Sequence, residues 1–212
     1  MRGVKIDVEK DWLQEVNMLP SLVELHLPGC DLQSLPISLP FINFTLFLVL
    51  DISINSFNSS NPHWMFNLTR LRTLDLSLNS FQGTIPSEIV NLISLEYLYM
   101  YSNGNFEGQI LRYLENLCKL KFFDLSKNHF NGTIDDFLNG FLDCPNNSLE
   151  YLRICNNFTS VRILSRVQFQ LQLKICQSLQ YLDLGFNNMN GTIPESFGKL
   201  SKLVQLDLQE NP

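Results

Sequence analysis

The chain has 212 residues, 45% of them hydrophobic, with 21 acidic against 15 basic side chains and a formal net charge of −6. An acid excess of this size leaves no broad basic surface for nucleic acid or for an anionic membrane. The longest apolar run, 39–50, is interrupted by Asn43 and Thr45 and falls short of the roughly 18–20 residues a membrane span needs, and the first ten residues contain no apolar leader.

In chain order, 7–18 places Val8, Trp12, Val16 and Leu19 at helical spacing behind Asp7, which predicts a short helix. From there one unit recurs. Leu71, Leu74, Leu76 and Asn79, followed by Phe81, Gly83, Ile85 and Pro86, spell LxxLxLxxNxFxGxIP, the leucine-rich repeat pattern. The Asn position falls at Cys30, Asn55, Asn79, Asn103, Asn128, Asn157, Asn187 and Asn211, with gaps of 25, 24, 24, 25, 29, 30 and 24 residues. The expected fold is an α/β solenoid: a leucine-rich repeat horseshoe with a parallel concave sheet and an irregular or short-helical convex side. It forms a single domain over 1–212, with about eight coils and no cap at either end.

Within each coil the central xLx tripeptide sends one apolar side chain inward and its two neighbours outward, as a strand of period two must. The Asn amide can satisfy backbone groups of the turn that leaves the strand. The Gly of GxIP permits a turn that other residues resist, and the Pro ends the pairing. Gly104 is one extra residue in the fourth coil, and the fifth runs on through a longer convex segment at 136–147. Residues 158–177 lack Gly, Pro, Asp and Glu and break the pattern, which resumes in phase at Leu179. Two readings stand for this window: an amphipathic convex strand through Val167, Phe169, Leu171, Leu173 and Ile175, or a local frame disruption.

The outward strand positions carry the candidate site. Tyr97, Phe122, Tyr151 and Tyr181 precede the second leucine in four successive coils, and Tyr99 and Tyr101 widen this aromatic column. After that leucine come Asp51, Asp75, Asp124, Asp183 and Asp207, a column of carboxylates that is either a ligand surface or a solvated face. Rigid aromatics offer contact area at low entropic cost. The expected ligand patch is Tyr97, Tyr99, Tyr101, Phe122, Asp124, Tyr151, Arg153, Tyr181 and Asp183.

No nucleophile triad, phosphate loop, zinc motif or kinase signature is present, and His26, His63 and His129 fall on different coil positions. The expectation is a binding protein with no enzymatic activity, cofactor or metal. Cys30, Cys118, Cys144, Cys155 and Cys176 lack zinc spacing and read as buried thiols, with a Cys144–Cys155 or Cys155–Cys176 bridge left open. Glycosylation sequons begin at Asn43, Asn58, Asn67, Asn131, Asn146, Asn157 and Asn190.

The GxIP form of the repeat, together with DWLQEVNMLPSLVELHLPGCDLQSLP and NGTIPESFGKLSKLVQLDLQENP, resembles the ectodomains of plant receptor-like proteins of the disease-resistance type that includes the fungal-xylanase receptors. The resemblance implies a glycosylated, extracellular ligand-binding piece of a plasma-membrane receptor in defence signalling. It would take a protein, peptide or glycan ligand and work with a co-receptor kinase. The alternatives are a soluble inhibitor of microbial cell-wall-degrading enzymes and part of a receptor kinase ectodomain. Open solenoid ends at Leu22 and Leu25 and at 203–208 lead to the expectation that the chain alone associates end to end.

Overall fold

The computed structural model describes residues 12–39, 41–60, 62–109, 116–131, 144, 147–157, 177–187, 189 and 195–211. Residues 136–143 and 145–146 of the long convex segment of the fifth coil, with the Asn146 sequon, residues 158–176 of the atypical window, and Asn190 lie outside the described residues.

Among the described residues, eight three-residue strands, one per coil, stack in parallel, and all but the last bury a central apolar residue. They are β1 (Glu24–His26), β2 (Val49–Asp51), β3 (Thr73–Asp75), β5 (Tyr97–Tyr99), β7 (Phe122–Asp124), β9 (Tyr151–Arg153), β10 (Tyr181–Asp183) and β11 (Gln205–Asp207). Their register aligns Leu25, Leu50, Leu74, Leu98, Phe123, Leu152, Leu182 and Leu206 in one inward row. The apolar spacing of the repeat becomes this row because each coil returns its strand to the same height, the longer fifth and sixth coils taking up their extra residues away from the strand.

A second parallel sheet, not anticipated from the sequence, follows the ladder Asn. It comprises β4 (Gln82–Gly83), β6 (Asn105–Gln109) and β8 (His129–Asn131). Its inward residues belong to a spine of stacked rings, Phe57, Phe81, Phe106 and Phe130, with centroids 5.7, 6.1 and 6.0 Å apart. Gly108 in β6 has φ 88°, and a Cβ there would meet Thr84 Cγ2 at 2.8 Å, so the glycine permits both the turn and the close approach of adjacent coils.

Between the two sheets runs the Asn ladder. The Nδ2 groups of Asn55, Asn79, Asn103, Asn128, Asn157, Asn187 and Asn211 donate to backbone carbonyls of the preceding coil at 2.7–3.1 Å. Each also donates to a carbonyl three residues back in its own coil. One amide thus joins two coils where the turn leaves backbone groups unpaired. The residue before each ladder position is left-handed, including the β-branched Ile54 at φ 55°.

The convex side carries 3₁₀ turns at His63–Asn67, Ser87–Asn91 and Glu195–Lys199. The N-terminal helix, α1, is described over Trp12–Asn17 and buries Trp12, Leu13 and Asn17; the predicted stretch 7–11 lies outside the described residues. Leu19 is 53% exposed, not on the packed face. The helix stops at Asn17, whose side chain donates to Phe41 O and accepts from Asn43 N–H, both at 2.9 Å, and Leu19 therefore leaves the helical face. Leu25 is buried and Leu22 packs against the core, whereas at the other end Val204 is 84% and Leu206 37% exposed.

A disulfide links Cys118 to Cys144, with Cα atoms 5.2 Å apart. This corrects the reading of both as thiols, and it excludes a Cys144–Cys155 bridge. The spacing hid it because the link closes around a convex segment whose path the repeat does not define. Cys155 is a half-buried thiol and Cys30 a buried one.

Candidate functional site

The outward face of the eight-stranded sheet displays two side-chain columns, and a third borders it just before the strands. In the first, at the position before the central apolar residue, the register places Tyr97 beside Phe122, Phe122 beside Tyr151 and Tyr151 beside Tyr181. Three of these rings stack directly: Phe122 on Tyr151 at 4.9 Å and 15°, and Tyr151 on Tyr181 at 4.3 Å and 6°. Phe122 turns diagonally and meets Tyr99 at 4.6 Å and 35°, in place of its register partner Tyr97. A four-ring ribbon, Tyr99–Phe122–Tyr151–Tyr181, therefore crosses β5, β7, β9 and β10. Tyr97 flanks it and is 36% exposed, while Tyr101 lies half-buried two residues beyond β5.

The centroid spacing matches the separation of neighbouring strands, about 4.8 Å, so the rings stand like cards on edge and cover one another's faces. The middle of the ribbon offers edges and phenol hydroxyls to a ligand.

The second column holds the carboxylates, and the structure divides their work. Asp51, Asp75, Asp124, Asp183 and Asp207 each use Oδ1 to accept the backbone N–H two residues on, at Ser53, Ser77, Ser126, Gly185 and Gln209. The Ser53, Ser77 and Ser126 hydroxyls donate to the same oxygens. These carboxylates close turns, so the column is more than a solvated face. Arg153 lies in this column between two of them, with Nη1 3.4 Å from Asp124 Oδ2 and Nε 3.3 Å from Asp183 Oδ2. Burial pushes the Asp75 and Asp124 carboxyls above their ordinary range, against the Ser77 and Ser126 bonds that pull them down. Burial, and then the Asp75 charge, also raise the Tyr99 phenol. The Cys155 thiol, close to Asp183 and Arg153, is pushed up to about 11 by burial and then by the Asp183 charge, which keeps it an unreactive thiol.

A third column was missed from sequence: Arg72, Glu96 and Lys121, two positions before the central apolar residue. Lys121 Nζ sits 2.7 Å from Glu96 Oε2, and Arg72 Nε 3.7 Å from Glu96 Oε1. The Lys121 hydrogen bond holds the Glu96 carboxyl below its usual range. The same offset arithmetic that located the tyrosines would have found this alternation of charge.

Of the sequon residues, Asn58, Asn67 and Asn131 are exposed and Asn43 half-buried. Asn157 is a correction: it is 6% exposed and its Nδ2 donates to Leu125, Ile154 and Cys155 carbonyls. A glycan on that nitrogen would break the ladder, so Asn157 serves the turn.

Among the described residues there is no group of three metal-binding side chains, and no helix is long and apolar enough to cross a membrane.

Leucine rich repeat family models match residues 48–104, 119–141 and 178–200. A tomato (Solanum lycopersicum) relative, receptor-like protein EIX1, is 43% identical over 63 residues, which is 28% of this chain and 6% of that protein. The solved PEPR1–AtPEP1 structure is 28% identical with a TM-score of 0.74, over 90% of this chain and 25% of that one. The ectodomain of the plant membrane receptor kinase GASSHO1/SCHENGEN3 from Arabidopsis thaliana, in complex with Casparian strip integrity factor 2, is 26% identical with a TM-score of 0.72, over 98% of this chain and 26% of that one. The chain thus spans a small part of the relative and about a quarter of each solved ectodomain. Two parallel sheets, an Asn ladder between them and the matching repeat models identify a leucine-rich repeat solenoid, similar in sequence and structure to plant receptor-like ectodomains.

Proposed function

We propose that this chain is the ligand-binding part of a plant cell-surface receptor-like protein in defence signalling, and that it takes a protein or peptide ligand across the outward face of the eight-stranded sheet. The observation that carries the reading is the four-ring ribbon over β5, β7, β9 and β10. Aligned rings on a rigid sheet are pre-organised and lose little freedom on contact, which favours affinity. The edge-on rings favour an extended chain that can bond the phenol hydroxyls over a sugar ring that needs an open aromatic face. The disulfide supports an oxidising, extracellular setting. The solved ectodomain bound to Casparian strip integrity factor 2 supports a protein ligand by likeness.

Selection of a random twelve-residue display library against the immobilised full chain tests this. Selected binders should weaken at least tenfold with Tyr151→Ala and remain unchanged with Glu88→Gln, a change on the convex side. Binders indifferent to Tyr151→Ala would place ligand contact elsewhere and overturn the reading.

A further inference from the structure

The ribbon ends differently from how it runs. Tyr99 is covered by Phe122 on the β7 side. On the other side its register partner across β3 is Asp75, whose strand carries no aromatic side chain. An aromatic face and a carboxylate are thereby placed side by side on neighbouring strands.

The carboxylates of the column differ in their partners. Arg153 serves both Asp124 and Asp183 through their Oδ2 atoms, and His26 Nδ1 lies 3.6 Å from Asp51 Oδ2. Asp75 commits Oδ1 to Ser77, and among the described residues no basic group lies within ion-pair distance of its Oδ2. A half-buried carboxylate without a cation is costly, and the side chain that relieves Asp124 within the fold has no counterpart at Asp75. The outward columns from β1 to β3 add Glu24 and Asp51 on the same side. Arg72, beside β3, is paired with Glu96, so Glu24, Asp51 and Asp75 leave carboxylates on this end of the face that favour a positive complement.

We propose that Asp75 and the Tyr99 ring, on its side away from Phe122, form a cation subsite that receives a lysine or arginine side chain from an extended peptide lying along the ribbon; the proposal rests on the reading of this sheet face as the ligand surface. The carboxylate supplies the Coulombic attraction. The ring supplies a cation–π contact on the side away from Phe122. The rest of the peptide runs toward Tyr151 and Tyr181, over ring edges.

The test uses the full chain and two capped probes, tri-arginine amide and its neutral isostere tri-citrulline amide, titrated by calorimetry in low salt. Tri-arginine should bind one to one and at least tenfold tighter than tri-citrulline. Asp75→Asn, which keeps the Oδ1 acceptor for Ser77, should weaken it at least fivefold. Tyr99→Leu should weaken it by a similar factor, and Glu88→Gln should leave it unchanged. Equal binding of the two probes, or tri-arginine binding unaltered by Asp75→Asn, overturns the subsite. Library binders that need Tyr151 but ignore Asp75→Asn would remove the subsite and leave the ribbon standing. Binders that ignore Tyr151 would remove the broader reading.

Discussion

Replacement of Asn103 by Ala isolates what joins one coil to the next. The side chain is 5% exposed; its Nδ2 donates to Leu76 O at 3.1 Å and Met100 O at 2.9 Å, and its Oδ1 accepts Phe81 N–H at 3.1 Å. Alanine leaves two carbonyls and one N–H stranded in a dry interior, each costing about 1–3 kcal/mol. With some relaxation the expected loss is roughly 3–5 kcal/mol, a large share of the roughly 5–15 kcal/mol typical of a domain. Urea unfolding of the full chain, followed by far-ultraviolet circular dichroism, measures it. A loss below about 1 kcal/mol would refute the claim that the amide carries these bonds. Asn103→Asp sharpens the test. It keeps the acceptor for Phe81 but aims a carboxylate at two carbonyls, which raises its folded pKa above the unfolded value of about 3.9. A raised pKa gives stability that is present below the unfolded value and lost as pH rises through the folded one. Asn103→Asp should therefore be closest to wild type in acid and weakest at neutral pH, whereas the alanine deficit should stay nearly flat.

Arg153→Met should cost about 2–3 kcal/mol at neutral pH, because Asp124 and Asp183, 2% and 7% exposed, lose their shared cation; the estimate is discounted because Arg153 itself is partly exposed. Removal of the guanidinium raises the Asp124 carboxyl pKa further, so the deficit should shrink on acidification toward the unfolded value, and a deficit that grows in acid would contradict the assignment. Reduction of Cys118–Cys144, 26 residues apart, should lower stability by about 2–4 kcal/mol, read as a fall in Tm with dithiothreitol that a Cys118→Ser/Cys144→Ser double variant no longer shows.

The spacing of leucines and asparagines by itself determined the solenoid, the parallel sheet and the identity of every ladder residue, because one coil is a local unit that stacking repeats without new information. The same arithmetic located Tyr97, Phe122, Tyr151, Tyr181 and the aspartates on one face, since side-chain direction in a strand depends on parity alone. Tertiary structure decided what those residues do. Parity cannot show that Phe122 leans to Tyr99 and not Tyr97, that ring faces close on one another, or that one oxygen of each aspartate caps a turn while Arg153 occupies two others. Those outcomes depend on rotamers chosen among neighbours some 25–30 residues away. The Cys118–Cys144 link and the second sheet were hidden for a related reason: both depend on how the convex path returns, which the strand pattern does not encode, and on backbone bonds between coils that polar residues such as Gln82, Asn105 and His129 permit without announcing.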